Sequence, residues 1–316
     1  MTIDRFDYLP STDRPAIRWP GGARVALWVV PNVGHYEYLP LPDKVFNFWP
    51  RVPHPDVKMY SYFEYGNRVG FWRMMEVFDQ HKLRPTVAIG VALLDHFPDM
   101  RDAMVKRDWS YMTHGIYPTR TLYSLSIEEE RAYYADNFET LLRHTGKKLK
   151  GMFGPLQSKT ERTPDLMAEA GLIYHTDWFH DDQPFPLKVK SGRMVSVPYT
   201  LELNDFPLFR ANFEGEDFVK MIKDQFDVLY AEGEATGKVM CISLHPFLIG
   251  QPQRIRYLDE ALSYVLSHDG VWRTTGDDIA EFYLEHYYDE TVRHTEQHRQ
   301  RWTSRGADPQ PVGPSS

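Results

Sequence analysis

Short apolar runs alternate along this chain with segments of helical periodicity, and this alternation most strongly limits the folds that the sequence can adopt. The run "RVALWVV", residues 24–30, is continuously apolar, as expected for a strand that is buried on both faces. Seven further runs of this kind begin at Thr86, Trp109, Lys150, Leu172, Met194, Val239 and Gly270. Strands that alternate with helices indicate βα units around a parallel sheet, and 316 residues are enough for an α/β barrel.

Three of the intervening segments carry complete helix signals. The strongest begins with Ser126 and Glu129 at the spacing of a capping box and stops at Gly146. Apolar residues between them fall on one helical face. We predict two more helices, one at residues 163–171 with Thr163 as its N-cap and one at residues 254–270.

Two regions do not follow this alternation. Residues 36–65 are rich in proline and aromatic residues, and a loop of this length in a compact domain usually forms a lid or an inter-subunit arm. The segment 288–316 is polar and ends in a Pro/Gly/Ser stretch that has little to bury. We therefore predict a single barrel domain over residues 1–287, followed by a polar C-terminal tail.

Composition and charge exclude several classes of function. A net charge of −8 without a basic cluster argues against nucleic-acid and membrane partners and leaves a small-molecule substrate. A single cysteine, Cys241, cannot form an intrachain disulfide, and the N-terminus lacks an apolar signal segment. These features favour a cytoplasmic protein, and the aromatic region at 36–65 favours a homo-oligomer.

Polar residues that directly follow the apolar runs are the candidates for an active site, because parallel barrels carry their chemistry at the carboxyl ends of the strands. A lone histidine at such a position is often only a packing residue, and aspartates there can be turn or capping residues. Two histidines that both end apolar runs are harder to explain in this way, since imidazole transfers protons near neutral pH. The candidates at four strand ends are Asn32, His35 and Glu37, then His114, then Asp177 with Asp181 and Asp182, and finally His245.

Motif order and spacing resemble the polysaccharide deacetylase (NodB-like) superfamily, and within it the branch of cofactor-independent allantoinases and related cyclic-amide hydrolases. The resemblance spans residues 20–287. It is carried by "NVGHYE", "FEYGNRVGFWR", "THGIYPTR", "TPDLMAEAGLIYHTDWFHDDQPF" and "ISLHPFLIGQPQRI". It implies a distorted (β/α) barrel and a reaction in which water attacks an amide carbonyl carbon.

The sequence departs from the deacetylase pattern at two motifs. In sugar-deacetylating members two aspartates and a His-x-x-x-His pair supply the base and the metal ligands. Here Gly34 and His35 stand at the acidic positions, and Pro118 stands where the second histidine would be. Because proline has no side-chain donor atom, the usual three-ligand metal site is incomplete. We predict no firm cofactor, with a zinc ion held by His35 and His114 as the alternative.

The leading hypothesis is a hydrolase that opens a C–N bond of a small cyclic amide, imide or ureide. His245 would transfer the proton, His114 would orient water or substrate, and Glu37 or Glu64 would activate water. The predicted substrate-binding residues are Asn32, His35, Asp177 and Trp178. A metal-dependent N-deacetylase of an amino sugar and a catalytically silent binding barrel are the alternatives.

Overall fold

The structure is a computed structural model that describes residues 5–40, 55–123 and 125–303. Within these ranges the strands are β1 Val25–Val33, β2 Thr86–Ile89, β3 Ser110–Thr113, β4 Gly151–Met152, β5 Tyr174–His175, β6 Phe185–Leu187, β7 Met194–Ser196, β8 Lys238–Leu244 and β9 Val271–Arg273. They form one sheet in the order β6-β7-β5-β4-β3-β2-β1-β8, with β9 also paired to β1. The curled sheet is the distorted barrel that the sequence predicts.

Neighbouring strands are parallel throughout the described sheet except for the antiparallel pair β6 and β7. All eight strands predicted from apolar runs are present. Strand β6 was not predicted, because Pro186 interrupts its apolar pattern. Proline is tolerated in β6 because this strand lies at the edge of the sheet, where a missing N–H breaks no ladder.

Helices flank the sheet. Their bounds are α1 Val57–Tyr65, α2 Phe71–Gln80, α3 Leu93–His96, α4 Pro98–Lys106, α5 Ile127–Thr145, α6 Thr163–Ala170, α7 Asp205–Arg210, α8 Gly215–Glu232, α9 Pro246–Ile249, α10 Ile255–Leu266, α11 Gly276–His286 and α12 Tyr288–Thr303. The predicted capping box of α5 is confirmed, as is its end at Gly146. In α6 the N-cap is Arg162 and not Thr163, because the Thr163 hydroxyl donates to the buried Glu130 carboxylate.

Both regions outside the predicted alternation contain helix. Residues 57–65 form α1, and residues 41–54 of the predicted loop lie outside the described residues. The predicted polar tail begins as helix α12, and its Pro/Gly/Ser end lies outside the described residues. Its Thr291 is buried and accepts a hydrogen bond of 2.9 Å from the Tyr283 hydroxyl.

Alternate residues of β1 enter two separate apolar clusters. Val25, Leu27 and Val29 pack among the surrounding helices, whereas Ala26 and Trp28 belong to a second cluster with residues of α11. The central strand is therefore buried on both faces, which explains its continuous apolar run. No helix in the described ranges combines the length and apolarity needed to cross a membrane.

A five-residue π turn, Gly66–Gly70, joins α1 to α2 and packs against α9. A Cβ atom at Gly70 would lie 1.9 Å from the backbone oxygen of Pro246, and one at Gly66 would lie 2.9 Å from the backbone nitrogen of Phe247. Only glycine allows this close approach. The "GNRVG" segment thus packs directly on the turn that follows His245.

Candidate active site

A cavity of about 250 Å³ lies at the carboxyl edge of the parallel strands. Its walls come from the segments that follow β1, β3, β4 and β8 and from α1 and α7. The described residues that line it are Tyr36, Phe63, His114, Pro118, Thr119, Phe153, Leu156, Gln157, Asn204, Phe206 and His245. The predicted convergence of His114 and His245 at one edge is observed.

His245 is held by a buried carboxylate. It directly follows β8, and its Nδ1–H donates to Asp205 Oδ1 at 2.7 Å. The backbone N–H of His245 donates to the other carboxylate oxygen of Asp205 at 2.8 Å. Because Asp205 is fully buried and holds Nδ1, the Nε2 atom is the one available for proton transfer.

Asn204 stands beside this pair as the N-cap of α7. Its side-chain oxygen accepts the backbone N–H of Phe206 at 3.0 Å, and its backbone bridges to Ser243 of β8. The amide plane is therefore fixed by its oxygen. Because Asn204 lines the cavity, its NH₂ group is available to donate a hydrogen bond to a ligand.

His114 is oriented by the backbone. Its Nδ1–H donates to the Phe153 carbonyl oxygen at 3.0 Å, and its ring stacks on the Phe153 ring at 4.9 Å. The pKa of His114 is lowered to about 4, mainly by burial and in small part by His245, while the hydrogen bond to Phe153 and the nearby Asp177 oppose the shift. His114 is thus neutral near pH 7 and presents Nε2 as a hydrogen-bond acceptor.

The side of the cavity that follows β1 is apolar. A Cβ atom at Gly34 would lie 2.3 Å from Cγ of Pro118, and one at Gly90 would lie 2.9 Å from its Cδ. The proline ring therefore occupies the space in which a side chain at position 34 would begin. The two departures from the deacetylase motifs are physically coupled.

The residues present do not fit the divalent ion of the sugar-deacetylating members. Pro118 supplies no donor atom and fills the space at Gly34. Residues 5–40, 55–123 and 125–303 contain no group of three or more His, Cys, Asp or Glu side chains arranged to hold a metal ion. His35, the other predicted zinc ligand, is not among the described residues that line the cavity with His114.

Glu37 and Glu64, the predicted water-activating residues, are engaged elsewhere. The Glu37 carboxylate binds Arg120 at 2.7 Å and accepts a hydrogen bond from the Thr119 hydroxyl. Glu64 is buried in α1 and accepts from Arg68 Nε at 3.2 Å. Neither carboxylate is among the described groups that line the cavity, so neither is placed as a base.

His35 packs beneath the surface of the β1 side. Its ring lies 4.3 Å from the His96 ring, and its buried Nδ1 has no partner among the described residues. Burial lowers the pKa of His35, and the neighbouring His96 lowers it further. The predicted contact of His35 with substrate is therefore not supported by its position.

The remaining predicted substrate-binding residues form hydrogen bonds to other parts of the chain and do not line the cavity. The Asn32 side chain donates to Ser243 Oγ at 3.0 Å and is buried. Asp177 accepts the Gly154 backbone N–H at 2.8 Å. Trp178 donates from Nε1 to His175 Nδ1 at 3.2 Å. All three lie outside the set of described residues that line the cavity.

Asp177 is also close to a second buried group. Its Oδ2 lies 3.1 Å from His175 Nε2, a contact within ion-pair distance that lacks hydrogen-bond geometry. Burial raises the pKa of Asp177, but the interactions with His175, the Gly154 N–H and Lys159 together outweigh burial, and the net pKa is lowered. Asp181, in contrast, forms an ion pair of 2.6 Å with Arg14 away from the cavity.

Sequence reasoning missed Asn204, Asp205 and Gln157. The first two belong to "LNDF", a capping sequence before the short helix α7, and the signal available was an Asn-Asp pair at a helix start. Gln157 lies after β4 in a segment with no helix or strand signal. The hydrogen bond between Asp205 and His245 could not be predicted from a local pattern, because the two residues are far apart in sequence.

Comparison with named proteins gives relatives that extend over most of the chain. A Schizosaccharomyces pombe protein provisionally named polysaccharide deacetylase is 29% identical over 297 residues, with 83% of this chain and 91% of the relative covered. The crystal structure of PuuE allantoinase superposes with a TM-score of 0.80 at 29% identity, covering 87% of this chain and 95% of that one. A Pseudomonas aeruginosa PAO1 structure provisionally named polysaccharide deacetylase gives a TM-score of 0.76 at 29% identity, with coverages of 86% and 95%. No family model matches the chain.

These relatives confirm the resemblance read from the sequence motifs, in both its deacetylase and its allantoinase parts. They also confirm the predicted enzyme class, a hydrolase of carbon–nitrogen bonds other than peptide bonds. Over most of its length the chain is therefore similar both to proteins named polysaccharide deacetylase and to an allantoinase.

Proposed function

We propose that this protein opens a small cyclic amide, imide or ureide by hydrolysis of a ring C–N bond, without a catalytic metal ion. The observation that carries the proposal is the Asp205–His245 pair at the wall of a small cavity. About 250 Å³ suits one small ring and is below the usual range for drug-sized ligands.

The charge of the cavity supports a neutral substrate. Its described lining contains aromatic rings, two amides, two hydroxyls and two imidazoles, and none of these residues is an Asp, Glu, Lys or Arg. A neutral heterocycle leaves no unpaired charge behind in such a site. Removal of a single acetyl group from a polymeric sugar calls instead for an extended polar groove.

His245 supplies the acid and base chemistry of the proposed reaction. Its Nε2 takes a proton from water as the water oxygen bonds to the carbonyl carbon. The imidazolium then returns this proton to the ring nitrogen, and the C–N bond breaks to give a carboxylic acid and an N–H group that belongs to an amine, an amide or a urea for a cyclic amide, imide or ureide, respectively. Asp205 holds the ring orientation and stabilises the transient positive charge.

His114 completes the proposed arrangement as a neutral acceptor. With Nδ1 bound to a carbonyl oxygen, its Nε2 lone pair can hold one hydrogen of the attacking water. A pKa of about 4 prevents it from keeping the proton near neutral pH. The proposal thereby replaces Glu37 and Glu64 by His245 as the group that activates water.

A hydrolysis screen tests the proposed function. The full chain would be incubated with cyclic ureides and imides, among them allantoin and hydantoin, and with N-acetylated amino sugars, each with and without chelator. Turnover of a cyclic compound that survives chelation is the expected result. Deacetylation that requires metal would support the N-deacetylase alternative, and no turnover of any compound would support a silent binding barrel.

A further inference from the structure

Two consecutive residues at the cavity wall have an unusual backbone conformation. Leu156 has φ 52° and Gln157 has φ 55°, both in the left-handed region that side chains other than glycine rarely adopt. Both residues line the cavity that contains His114 and His245. Such strained conformations cluster at functional sites.

Buried hydrogen bonds hold this strained turn in place. The Gln157 backbone N–H donates to the Gly154 carbonyl at 2.8 Å, and Gly154 in turn donates to Asp177. The buried Ser158 hydroxyl donates to the Pro155 carbonyl at 2.6 Å and accepts the Leu122 N–H at 2.9 Å. The turn is therefore fixed by its surroundings rather than by its own preference.

The Gln157 side chain makes no hydrogen bond to any part of the chain that the structure describes. It is half-buried, and its neighbours at the wall include the apolar Phe153 and Leu156. An amide carries both an N–H donor and a carbonyl acceptor. Placing such a pair in a largely apolar cavity is unfavourable unless a ligand satisfies both groups.

We propose that Gln157 recognises a C(=O)–NH–C(=O) unit in the substrate ring. Its amide oxygen accepts the ring N–H, and its NH₂ group donates to an adjoining ring carbonyl. The NH₂ group of Asn204, whose oxygen is fixed by Phe206, donates to the carbonyl under attack. This assignment rests on the proposed function. It narrows the proposed substrate class to cyclic imides and ureides and excludes simple lactams, which lack the second carbonyl group.

Recognition of the ring N–H by Gln157 should discriminate strongly between substrates that carry this N–H and analogues that lack it. A site built to hydrogen-bond a substrate N–H rejects an analogue without it, because buried polar groups of the protein are then left unpaired. Hydantoin and its N3-methyl derivative form a suitable pair of probes. They differ at the N–H between the two ring carbonyls.

The experiment compares the two probes in the full chain and in three variants. Equilibrium binding is measured in a His245→Ala background, and kcat/KM is measured with His245 intact. We expect hydantoin to be preferred at least tenfold in both measurements, and Gln157→Leu to reduce this preference to about twofold. Gln157→Gly tolerates the left-handed backbone and removes the amide, so it gives the same result if the leucine variant does not fold. Leu156→Gly relieves strain but keeps the amide, and it should retain the preference.

The outcomes separate this inference from the proposed function. Turnover with a preference that survives in Gln157→Leu and Gln157→Gly would overturn the inference and leave the function standing. Binding with a Gln157-dependent preference, but no turnover, would overturn the function alone. A protein that neither binds nor hydrolyses hydantoin would contradict both.

Discussion

Two sides of one cavity have opposite chemistry. On the β8 side, His245 is hydrogen-bonded to the buried Asp205 carboxylate, and the side-chain oxygen of the neighbouring Asn204 accepts the Phe206 N–H. On the β1 side, the Pro118 ring packs against Gly34 and Gly90, where deacetylase motifs would place an acid and a metal ligand. The two sides therefore differ in what they present to the cavity, which is an imidazole–carboxylate pair on the β8 side and a packed proline ring on the β1 side.

The difference also shows why the two motif departures occur together. A side chain at position 34 and a proline ring at position 118 cannot share the same space. Replacing only one would leave a steric clash or a gap. The β1 side is thus a packed wall, and the proposed proton transfer relies on His245 of the β8 side.

Removing the imidazole of the β8 side should have the largest effect. We expect His245→Ala to lower kcat by a hundredfold to ten-thousandfold while the protein stays folded, because proton transfer contributes at this level. His35→Ala is the matched control, since that histidine lies at the same edge of the sheet but outside the cavity lining. Steady-state kinetics beside thermal melts would check this. Equal losses in both variants would remove the distinction between the two sides.

The stability of the protein should fall in mildly acidic solution because of His114. Its pKa is about 4 in the folded chain, below the ordinary 6.5. Between these values the unfolded chain binds a proton that the folded chain does not, so stability declines as pH drops from 6.5 to 4. The full contribution is at most about 3 kcal/mol.

Urea unfolding measured across this pH range would detect the contribution of His114. His114→Gln should show a shallower decline than the wild type over the same window. Parallel curves for the two proteins would mean that His114 is not held neutral by burial, and that its place between the two sides needs revision.

Loss of the carboxylate behind His245 should have an intermediate effect. In Asp205→Asn we expect kcat to fall about tenfold to a hundredfold with KM little changed, since the residue acts through His245. Asp181→Asn removes an aspartate of a different ion pair and should leave kcat unchanged. A change in KM alone would assign Asp205 to substrate binding instead of to positioning.

The β1 side can be tested by adding one methyl group. Gly34→Ala should destabilise the protein by roughly 1–2 kcal/mol, because the new Cβ meets the Pro118 ring and forces a shift. The double variant Gly34→Ala with Pro118→Ala should recover part of this loss. Denaturant unfolding measures both. An unchanged midpoint in the single variant would show that the two positions do not pack together.

The sequence predicts most of the fold because the fold depends on local patterns. The apolar run of β1 and the capping box of α5 are explained by burial and by hydrogen bonds within a few residues. Strand β6 was not predicted, because a proline within an apolar run normally indicates the end of a strand, although proline is tolerated at a sheet edge. In α12, polar residues form a helix packed against the barrel, a tertiary effect that composition alone does not reveal.

The site was predicted less completely than the fold. His114 and His245 were found because strand ends in a parallel sheet share one edge. The predicted role of Glu37 is not supported by its position, because its carboxylate pairs with Arg120, which lies 83 positions away in sequence. Asp205 was missed for a similar reason, since only the folded chain brings it to His245. Which polar residue faces a cavity is decided by such long-range pairings.

Metal dependence is the most direct test of the central claim, which is that the proposed reaction proceeds without a catalytic metal ion. The purified full chain would be analysed for bound metals and then assayed on its cyclic substrate before and after exhaustive chelation. The account predicts substoichiometric metal and unchanged turnover, because Pro118 and Gly34 leave no complete ligand set. Near-unit zinc per chain, with activity lost on chelation and restored by added zinc, would contradict it.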